Sequence, residues 1–411
     1  MKKIIKLSLI LFLLLGVIGC QSDSIREMKP YTNVEEFIGN VKSLAVEHRE
    51  KYVNREWPNV VKSYSFPAVN DYTAIFLYRN KNTAQVGLRG DLNQWSNSNI
   101  PFEKISGTSL FYLKMPLEKN ARIKYKLVVD GKPKLDPLNP HKKDAGFGVD
   151  SVFTMPDYSY PATNYYEDIT HGKIITKQIK NNTMFGKATD KRKIQIYLPP
   201  NYDNTKQYRT IYFNDGSFYL SEGKVKNILD YMIAKQELEP VIAVFVDYLE
   251  RNKEYIYKTK KNYMNFFVNE LLPLIEADFA ARTDPDGRVI VGASNGGVFA
   301  TYLGVNHPDK FKYIFNHSGA PQYYQHQNYG KPFGARYRRE DLALKVISIV
   351  GKYERDYNIN TAKRFHRDLA NNDSIIGEKL IFYPQGHNFV MWGDSFREGI
   401  LWLLDNQDET N

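Results

Sequence analysis

The chain has 411 residues, which exceeds the usual size of a single domain and predicts two domains. Its hydrophobic (42%) and charged (25%) contents are ordinary for a globular protein. The formal net charge is +10, but the basic residues are scattered along the chain and no nucleic-acid motif accompanies them. We therefore interpret the charge as a solvated surface and expect no nucleic-acid partner.

Residues 1–20, MKKIIKLSLILFLLLGVIGC, have the layout of a secretory signal peptide. A basic start is followed by an apolar run from Leu7 to Val17, which is too short to span a bilayer comfortably. The last four letters, VIGC, resemble the bacterial lipobox, in which the cysteine is acylated and becomes the new N-terminus. Cys20 is the only cysteine, so no internal disulfide competes for it. We expect an extracytoplasmic protein anchored to a bacterial membrane through a lipid on Cys20, the alternative being plain secretion.

Residues 21–65 are predicted to form a short tether and an N-terminal helix. Within 34–56, apolar residues recur with helical spacing. They are Phe37, Ile38, Val41, Leu44 and Ala45. We expect this apolar stripe to pack against one of the domains that follow.

Residues 66–160 are predicted to form a small all-β sandwich, because short alternating segments such as YTAIFLYRN and ARIKYKLVVDG are separated by regular turn signals. The order of VGLRGDLNQW, RIKYKLVVDG and LDPLNP resembles the immunoglobulin-like early-set domains found beside starch-active enzymes and in front of some esterases. Trp95 is either a platform for a sugar ring or a core or rim tryptophan of the sandwich, and we favour the second interpretation.

Residues 165–408 are predicted to form an α/β domain whose mostly parallel sheet is covered by helices on both faces. Apolar strands such as PVIAVFVDY and GRVIVGAS alternate with helices such as KVKNILDYMIAK. This succession of strands and helices is that of an α/β-hydrolase, which is the fold we expect.

The segment VGASNGGVFA contains a Gly-x-Ser-x-Gly sequence centred on Ser294. An apolar strand runs directly into it, and a helix is expected to begin near Gly297. A strand-to-helix turn this tight needs small neighbours, which Gly292, Gly296 and Gly297 provide. The position favours a nucleophilic Ser294 over an ordinary serine in a glycine-rich turn. The backbone amide of Asn295 would then donate to the developing oxyanion.

A serine nucleophile needs a base, which in this fold follows the serine and the acid along the chain. His387 lies in a loop after the last predicted strand and is the predicted base. His317 and His326 come before the strand that should deliver the acid. His366 lies inside a predicted helix, where we expect it to be solvated.

The acid should follow the strand KVISIVG, where Glu354 and Asp356 are both available. A carboxylate at that place would hold the imidazole tautomer and stabilise the imidazolium. The residues alone barely separate these two candidates. A second oxyanion donor is expected in the turn after the strand TIYFNDG, from the backbone amide of Ser217 or Phe218.

Residues 191–393 resemble the esterase D-like esterases, a family that includes enterochelin esterases and feruloyl or acetyl-xylan esterases. The matching segments follow the family's order: IQIYLPPNY, YFNDG, VDYLERNKEY, FVNELLPLIE, VIVGASNGGVFATYLGVNHPDKF and GHNFVMW. The resemblance implies a serine carboxylic-ester hydrolase and places Ser294 and His387 on the nucleophile and the base. The family's acid follows a strand and a glycine, as Glu354 does in GKYE, so the resemblance favours Glu354 over Asp356.

Around the expected pocket the resemblance is partial, because one spacing matches the family whereas the turn NDGSF and segment 320–340 do not. Arg251 and Glu254 match a family arginine–glutamate spacing that is expected to hold a loop beside the pocket. The turn NDGSF departs from the histidine–glycine form of many relatives, which leaves the second oxyanion donor open. The predicted substrate contacts are Tyr323, Tyr324, Arg251 and Trp392. Of these, the two tyrosines belong to segment 320–340, which is either part of a pocket for an aromatic acyl group or a sugar, or a self-packing surface loop.

The expected substrate is an ester attached to carbohydrate, of feruloyl or acetyl type. A trilactone siderophore is the alternative substrate, and a glycan-binding lipoprotein with an inactive hydrolase domain is the alternative function. The sequence contains no phosphate loop, metal-ligand cluster or dinucleotide fingerprint, so we expect neither a metal nor another cofactor.

Overall fold

The computed structural model describes residues 32–144, 148–180, 191–257, 259–321 and 341–405. The predicted signal peptide with Cys20 lies outside these ranges, as do Tyr323, Tyr324 and His326. Within the described part of the chain, no helix is long and apolar enough to cross a membrane.

Two helices, α1 (Val34–Ser43) and α2 (Val46–Ser63), begin the described chain. The prediction of one continuous helical stripe is therefore wrong at Leu44, where the backbone is extended. The stripe is buried at Phe37, Ile38, Val41 and Leu44, whereas Ala45 is exposed.

Short strands between residues 68 and 154 form two antiparallel sheets. The first sheet contains β1 (Ala68–Asn70), β2 (Thr73–Arg79), β5 (Glu103–Lys104) and β6 (Leu110–Pro116). The second contains β3 (Val86–Gly90), β4 (Ile100–Pro101), β7 (Arg122–Val129), β8 (Lys132–Lys134), β9 (Lys142–Asp144) and β10 (Val149–Thr154). Their orders are β1-β2-β6-β5 and β4-β3-β7-β10-β9, with β8 paired to β7.

The alternation of side chains along β2 explains how this all-β region is layered. Phe76 and its same-face neighbours pack against the second sheet, in a core that includes Tyr125 and Phe153. Ile75 and Leu77 point the other way and pack under α1 and α2. The first sheet is thus covered on both faces, by the second sheet and by the two helices.

The α/β domain that follows is built on a sheet of eight strands. The strands are β11 (Lys173–Lys180), β12 (Lys191–Leu198), β13 (Arg209–Asn214), β14 (Val241–Val246), β15 (Arg288–Ala293), β16 (Tyr313–His317), β17 (Leu344–Gly351) and β18 (Ile375–Tyr383). Their order is β11-β12-β14-β13-β15-β16-β17-β18. The pairs β11–β12 and β12–β14 are antiparallel, and all pairs from β14 to β18 are parallel.

Helices cover both faces of this sheet. They are α3 (Gly216–Ser221), α4 (Val225–Ala234), α5 (Arg251–Tyr255), α6 (Lys260–Phe266), α7 (Leu272–Asp278), α8 (Asn295–Asn306), α9 (Asp356–Ala370), α10 (Phe389–Asp394) and α11 (Phe396–Leu404). A π-helical stretch, Phe267–Leu271, joins α6 to α7. Helices α5 to α9 share one apolar core with the sheet, and α3, α4, α10 and α11 share the other.

The predicted fold class is confirmed, because an all-β region precedes an α/β domain with helices on both faces of a mostly parallel sheet. The carboxyl ends of parallel strands lie at one edge of a sheet. The residues that follow β13, β15, β17 and β18 are therefore brought to the same edge, and these are the segments in which the candidate catalytic residues were predicted.

Candidate active site

Ser294 lies between β15 and α8 in a strained backbone conformation. Its φ of 55° and ψ of −122° are rare for a residue with a side chain. The turn is held from the neighbouring strand, because the Ser294 amide donates to the His317 carbonyl oxygen at 2.8 Å. Gly292 has no room for a side chain, since a Cβ there would lie 2.1 Å from the Gly296 carbonyl oxygen. This geometry is the sharp strand–serine–helix turn that presents a hydroxyl above a sheet. We call this turn, residues 292–297, the elbow.

Glu354 and His387 meet from the loops that follow β17 and β18. The His387 Nδ1 atom lies 2.7 Å from Oε2 of Glu354. The Glu354 side chain is completely buried, whereas 27% of the His387 side chain is exposed. Because Nδ1 faces the carboxylate, Nε2 lies on the side of the ring away from Glu354. This is the orientation that a general base held by an acid requires.

Three further donors hold the Glu354 carboxylate in addition to His387. The Gly351 amide and the Ser318 hydroxyl donate to Oε1, the former at 2.9 Å, and the Asn358 side chain donates to Oε2 at 2.7 Å. Burial raises the pKa of Glu354, but His387 and these hydrogen bonds outweigh burial, so its pKa lies below the ordinary value. Glu354 is therefore a carboxylate at neutral pH.

Ser318 and Asn358 were not predicted from the sequence. Asn358 lies only four residues after Glu354, but α9 begins at Asp356, so helical spacing does not relate the two side chains. Ser318 is 36 residues from Glu354 in the chain. Only the pairing of β16 with β17 brings it to the carboxylate.

Trp392 was predicted to contact substrate, and the structure corrects this. Its side chain is completely buried in the core that α10 forms with the sheet. Its Nε1 atom donates to the Ser318 hydroxyl at 2.9 Å, and its ring lies edge-on to the His387 ring at 4.9 Å between centroids. Trp392 therefore packs against His387 and, through Ser318, helps to hold Glu354.

Asp356, the alternative acid, does not face His387. It is exposed at the first position of α9. Its Oδ1 atom accepts a hydrogen bond from the Gln94 side chain at 2.9 Å, and its backbone amide donates to the same side chain at 3.1 Å. The structure thus brings Glu354, and not Asp356, to the imidazole.

The predicted oxyanion donors have different surroundings. Asn295 is the first residue of α8, where backbone N–H groups point out of the helix end. The Ser217 amide donates to Oδ1 of Asp247 at 2.8 Å, and the Phe218 amide donates to the Asp215 carbonyl oxygen at 3.0 Å. The structure therefore does not direct the Ser217 or Phe218 amide to an oxyanion, and either would first have to leave its present acceptor.

Arg251 was also predicted to contact substrate, but its guanidinium is engaged within the protein. It donates to both carboxylate oxygens of Asp215, at 2.7 and 2.8 Å, and to the Ala293 carbonyl oxygen at 3.1 Å. Glu254 has other partners: it forms a buried ion pair with Arg192 at 2.9 Å, and it accepts hydrogen bonds from the Leu249 and Glu250 amides at 3.2 and 3.3 Å, so it holds the loop before α5. Arg251 instead joins the turn after β13 to the residue before Ser294.

Two other histidines of the domain, His317 and His366, are buried. His317 lies beneath the elbow, with Nδ1 2.8 Å from the Tyr219 hydroxyl, and burial lowers its pKa to about 3. His366 is only 4% exposed and contacts Glu378, so the expectation that it would be solvated is wrong. Neither lies at Glu354.

A cavity of about 370 Å³ borders Glu354 and His387. The all-β region and the α/β domain both contribute to its walls. Its lining residues include Gln94, Trp95, Lys124, Lys126 and Asp150 from the former and Tyr353, Arg355 and Tyr357 from the latter. Trp95 is half-buried and its indole N–H donates to Asp91 at 2.9 Å, so it is a rim tryptophan that also lines the cavity.

Comparison with curated proteins identifies two kinds of similar esterase. The chain is 26% identical over 287 residues to an endo-1,4-beta-xylanase/feruloyl esterase of Xylanibacter ruminicola, a match covering 65% of this chain and 36% of that protein. It is 20% identical over 368 residues to an iron(III) enterobactin esterase of Dickeya dadantii, covering 78% and 83%. The chain thus spans about a third of the length of the xylanase/feruloyl esterase.

Solved structures show the same fold. A ferric enterobactin esterase from Salmonella typhimurium aligns with a TM-score of 0.66 at 18% identity, over 82% of this chain and 95% of that one. The sequence profile of the Esterase family, described as "Putative esterase", matches residues 187–403. Because this match covers more than half of the chain and contains Ser294, Glu354 and His387, the chain belongs to the Esterase family.

Proposed function

We propose that this protein hydrolyses carboxylic esters, with Ser294 as the nucleophile, His387 as the base and Glu354 as the acid. The observation that carries the proposal is the contact of His387 Nδ1 with Glu354, at the same edge of the sheet as the strained Ser294. Serine, acid and histidine follow β15, β17 and β18 in the chain order of an α/β-hydrolase triad.

The geometry supports a two-step reaction. His387 takes the proton of the Ser294 hydroxyl as the oxygen attacks the ester carbonyl carbon, and Glu354 stabilises the imidazolium that forms. The tetrahedral intermediate collapses, the alcohol leaves with the proton from His387, and an acyl-enzyme remains. A water molecule, deprotonated by His387, then attacks the acyl carbon. The bond to the Ser294 oxygen breaks, His387 returns its proton to that oxygen, and the carboxylic acid is released. The Asn295 amide is the proposed oxyanion donor on the elbow side.

We propose an ester attached to carbohydrate, of feruloyl or acetyl type, as the substrate. The cavity beside His387 presents the aromatic side chains of Trp95, Tyr353 and Tyr357. Flat apolar faces interspersed with donors such as Lys126 and Arg355 suit a sugar ring or an aromatic acyl group. The curated relative that is named a xylanase/feruloyl esterase supports the same substrate class.

A trilactone siderophore is the second candidate substrate. The cavity has three cationic side chains, Lys124, Lys126 and Arg355, and these favour an anionic ligand, although Asp150 pairs with both lysines. The enterobactin esterases align with this chain over most of their length, 83% of one by sequence and 95% of another by structure. An inactive glycan-binding protein is the remaining alternative.

We further propose that the protein is extracytoplasmic and is anchored to a bacterial membrane through a lipid on Cys20. The support is the signal-peptide layout of residues 1–20 and the lipobox-like VIGC that ends it. An ester on a polysaccharide outside the cytoplasm is accessible to an enzyme tethered in this way.

A panel of esters tests the activity and the substrate together. We expect hydrolysis of p-nitrophenyl acetate, with methyl ferulate and acetylated xylan preferred over ferric enterobactin at equal concentration. Ser294→Ala should lower kcat by at least about a thousandfold and leave the circular dichroism spectrum unchanged. Preference for ferric enterobactin would select the siderophore candidate. If the wild-type protein hydrolyses none of these esters, the result would support the alternative of an inactive glycan-binding protein.

A further inference from the structure

The loop that carries His387 rests on the all-β region. The backbone amide of Arg122, at the start of β7, donates to the Pro384 carbonyl oxygen at 3.2 Å. The buried Arg122 guanidinium lies 3.5 Å from the Asn388 side-chain oxygen. Two residues of the loop, one on each side of His387, are thus bound by one arginine of the other region.

Asp91 contacts the loop at its centre, immediately before His387. It packs so closely on Gly386 that a Cβ there would lie 2.2 Å from Asp91 Oδ1 and 2.4 Å from its Cγ. Asp91 is 2% exposed and cannot retreat easily, because Oδ1 accepts from Trp95 Nε1 at 2.9 Å and Oδ2 accepts from the Lys124 amide at 2.8 Å. The backbone position next to the histidine is therefore set by a carboxylate held within the all-β region.

The loop that carries Glu354 rests on the same region. The Tyr353 side chain, next to Glu354, packs against the apolar core between the two antiparallel sheets. Its backbone amide donates to the Gln385 carbonyl oxygen at 3.2 Å, which links the two loops. Gln94 makes two hydrogen bonds to Asp356 on the other side of Glu354. Both loops are therefore held between the all-β region and the end of the parallel sheet.

The nucleophile is held differently. The contacts described above for Ser294 and its flanking residues come from β16, from Gly296 and from Arg251, all within the α/β domain. The all-β region thus contacts the segments of the acid and the base, while the elbow is positioned by its own sheet. The relative placement of base and nucleophile depends on how the two regions dock.

We infer that Asp91 and Arg122 of the all-β region are positioning residues for His387, and that the Asp91–Gly386 contact sets the alignment of the imidazole with Ser294. The inference rests on the proposed function, since it assigns His387 as the base. A small displacement of a catalytic group costs rate even when the fold is intact, because the reacting atoms must be aligned. The all-β region is then a structural part of the active site.

The test uses full-length Gly386→Ala, Asp91→Ala and the double variant. The added methyl group of Gly386→Ala meets the Asp91 carboxylate, so kcat should fall at least tenfold with KM changed less than threefold. Asp91→Ala removes that carboxylate, and the double variant should recover at least fivefold in kcat over Gly386→Ala. Such non-additivity is diagnostic of a direct contact. Gly39→Ala is the matched control, because a Cβ there meets nothing within 4 Å.

A second readout does not depend on turnover. The proton between His387 Nδ1 and Glu354 should give a downfield proton NMR resonance, assigned by its loss in His387→Gln. We expect this resonance to shift in Gly386→Ala and to return towards its wild-type position in the double variant. An unchanged kcat and resonance in Gly386→Ala, or a double variant no better than the single one, would overturn the inference. If the wild-type protein hydrolyses no ester, the proposed function fails. The resonance still shows whether the Asp91–Gly386 contact positions the His387 ring.

Discussion

Glu354 is a buried carboxylate whose four hydrogen-bond donors include the imidazole of His387. A buried charge is tolerated only when its partners replace the water that it loses. Because those partners hold the pKa of Glu354 below its ordinary value, the group stays ionised at the pH where His387 must accept a proton. In the proposed mechanism, the same carboxylate orients the imidazole and stabilises the imidazolium.

Replacing Glu354 should therefore slow the reaction more than replacing its neighbour Asp356. We expect Glu354→Gln to lower kcat by about two to four orders of magnitude, because the histidine loses its orientation while Ser294 and the oxyanion donor remain. Asp356→Asn is the matched control and should change kcat less than about fivefold, since Asp356 is exposed and bonded to Gln94. Steady-state kinetics on p-nitrophenyl acetate measure both. The opposite ranking would assign the acid to Asp356.

Arg251 joins the turn after β13 to the residue that precedes Ser294. Through Asp215 it holds the turn between β13 and α3, and through the Ala293 carbonyl oxygen it holds the end of β15. Asp215 is completely buried, so its charge depends on this bidentate pair. Helix α5, on which Arg251 lies, therefore helps to fix the distance between the turn after β13 and Ser294.

Arg251→Lys keeps the charge but cannot donate to Asp215 and Ala293 from one planar group. We expect kcat to fall by about tenfold to a hundredfold, less than the loss of a complete oxyanion donor, with little change in KM. Lys253→Gln, an exposed change on the same helix, is the control and should have no measurable effect. A raised KM with unchanged kcat would instead indicate that Arg251 contacts the substrate, as first predicted.

Helix α10, which follows the His387 loop, ends at Asp394, a buried carboxyl group whose pKa is raised. Burial raises the pKa of Asp394 to about 6, against the opposing effect of the hydrogen bonds that Gln385 and Tyr158 donate to its Oδ2 atom. Between its ordinary pKa of 3.8 and about 6, the folded protein binds more protons than the unfolded one. The free energy of unfolding therefore falls as the pH rises through this window and is level above it.

Asp394→Asn should remove this dependence. An asparagine oxygen at the Oδ2 position can accept both hydrogen bonds without a charge, so the variant should be more stable than wild type at pH 7 by up to roughly 3 kcal/mol. Urea denaturation from pH 4 to pH 7 measures the difference, with the exposed Asp309→Asn as the control. Equal slopes against pH in wild type and Asp394→Asn would show that another group titrates in this window.

The all-β region and the α/β domain share one cavity. Trp95 and Lys126 from the all-β region face Arg355 and Tyr357 from the α/β domain across it, beside His387. The ion pair between Lys352 and Glu118, at 2.7 Å, adds a further contact between the regions. A substrate bound in this cavity would contact both regions, so both would contribute to its recognition.

The proposed lipid anchor would hold the whole protein at a membrane. We expect metabolic labelling with a palmitate analogue to mark the wild-type protein, and fractionation to place it with the membranes. Cys20→Ser removes the only thiol in the chain and should abolish the label and release the protein from the membrane fraction. Equal labelling of both proteins would remove the lipobox interpretation.

The chain order of strands and helices, and the residues at their ends, were predictable because they depend on local patterns. An apolar strand followed by a glycine-rich turn predicted the elbow at Ser294, and strands followed by short loops predicted His387 and either Glu354 or Asp356 at the same sheet edge. Only the family resemblance favoured Glu354. The all-β region was predictable for the same reason, from alternating residues and turn signals. The break of the first helix at Leu44 was missed, since the apolar spacing continues across it.

What a long side chain contacts is decided by tertiary structure. Arg251 and Trp392 were predicted to face substrate, yet one is bound to Asp215 and the other is buried behind His387. Residue type shows that an arginine can bind an anion and that a tryptophan can line a pocket, but their direction depends on segments distant in the chain. The docking of Asp91 on Gly386 has no local signal either, because it joins residues of two regions. Residue types and local patterns therefore predict which groups are available for the chemistry, whereas the packing of segments distant in the chain determines which of those groups meet.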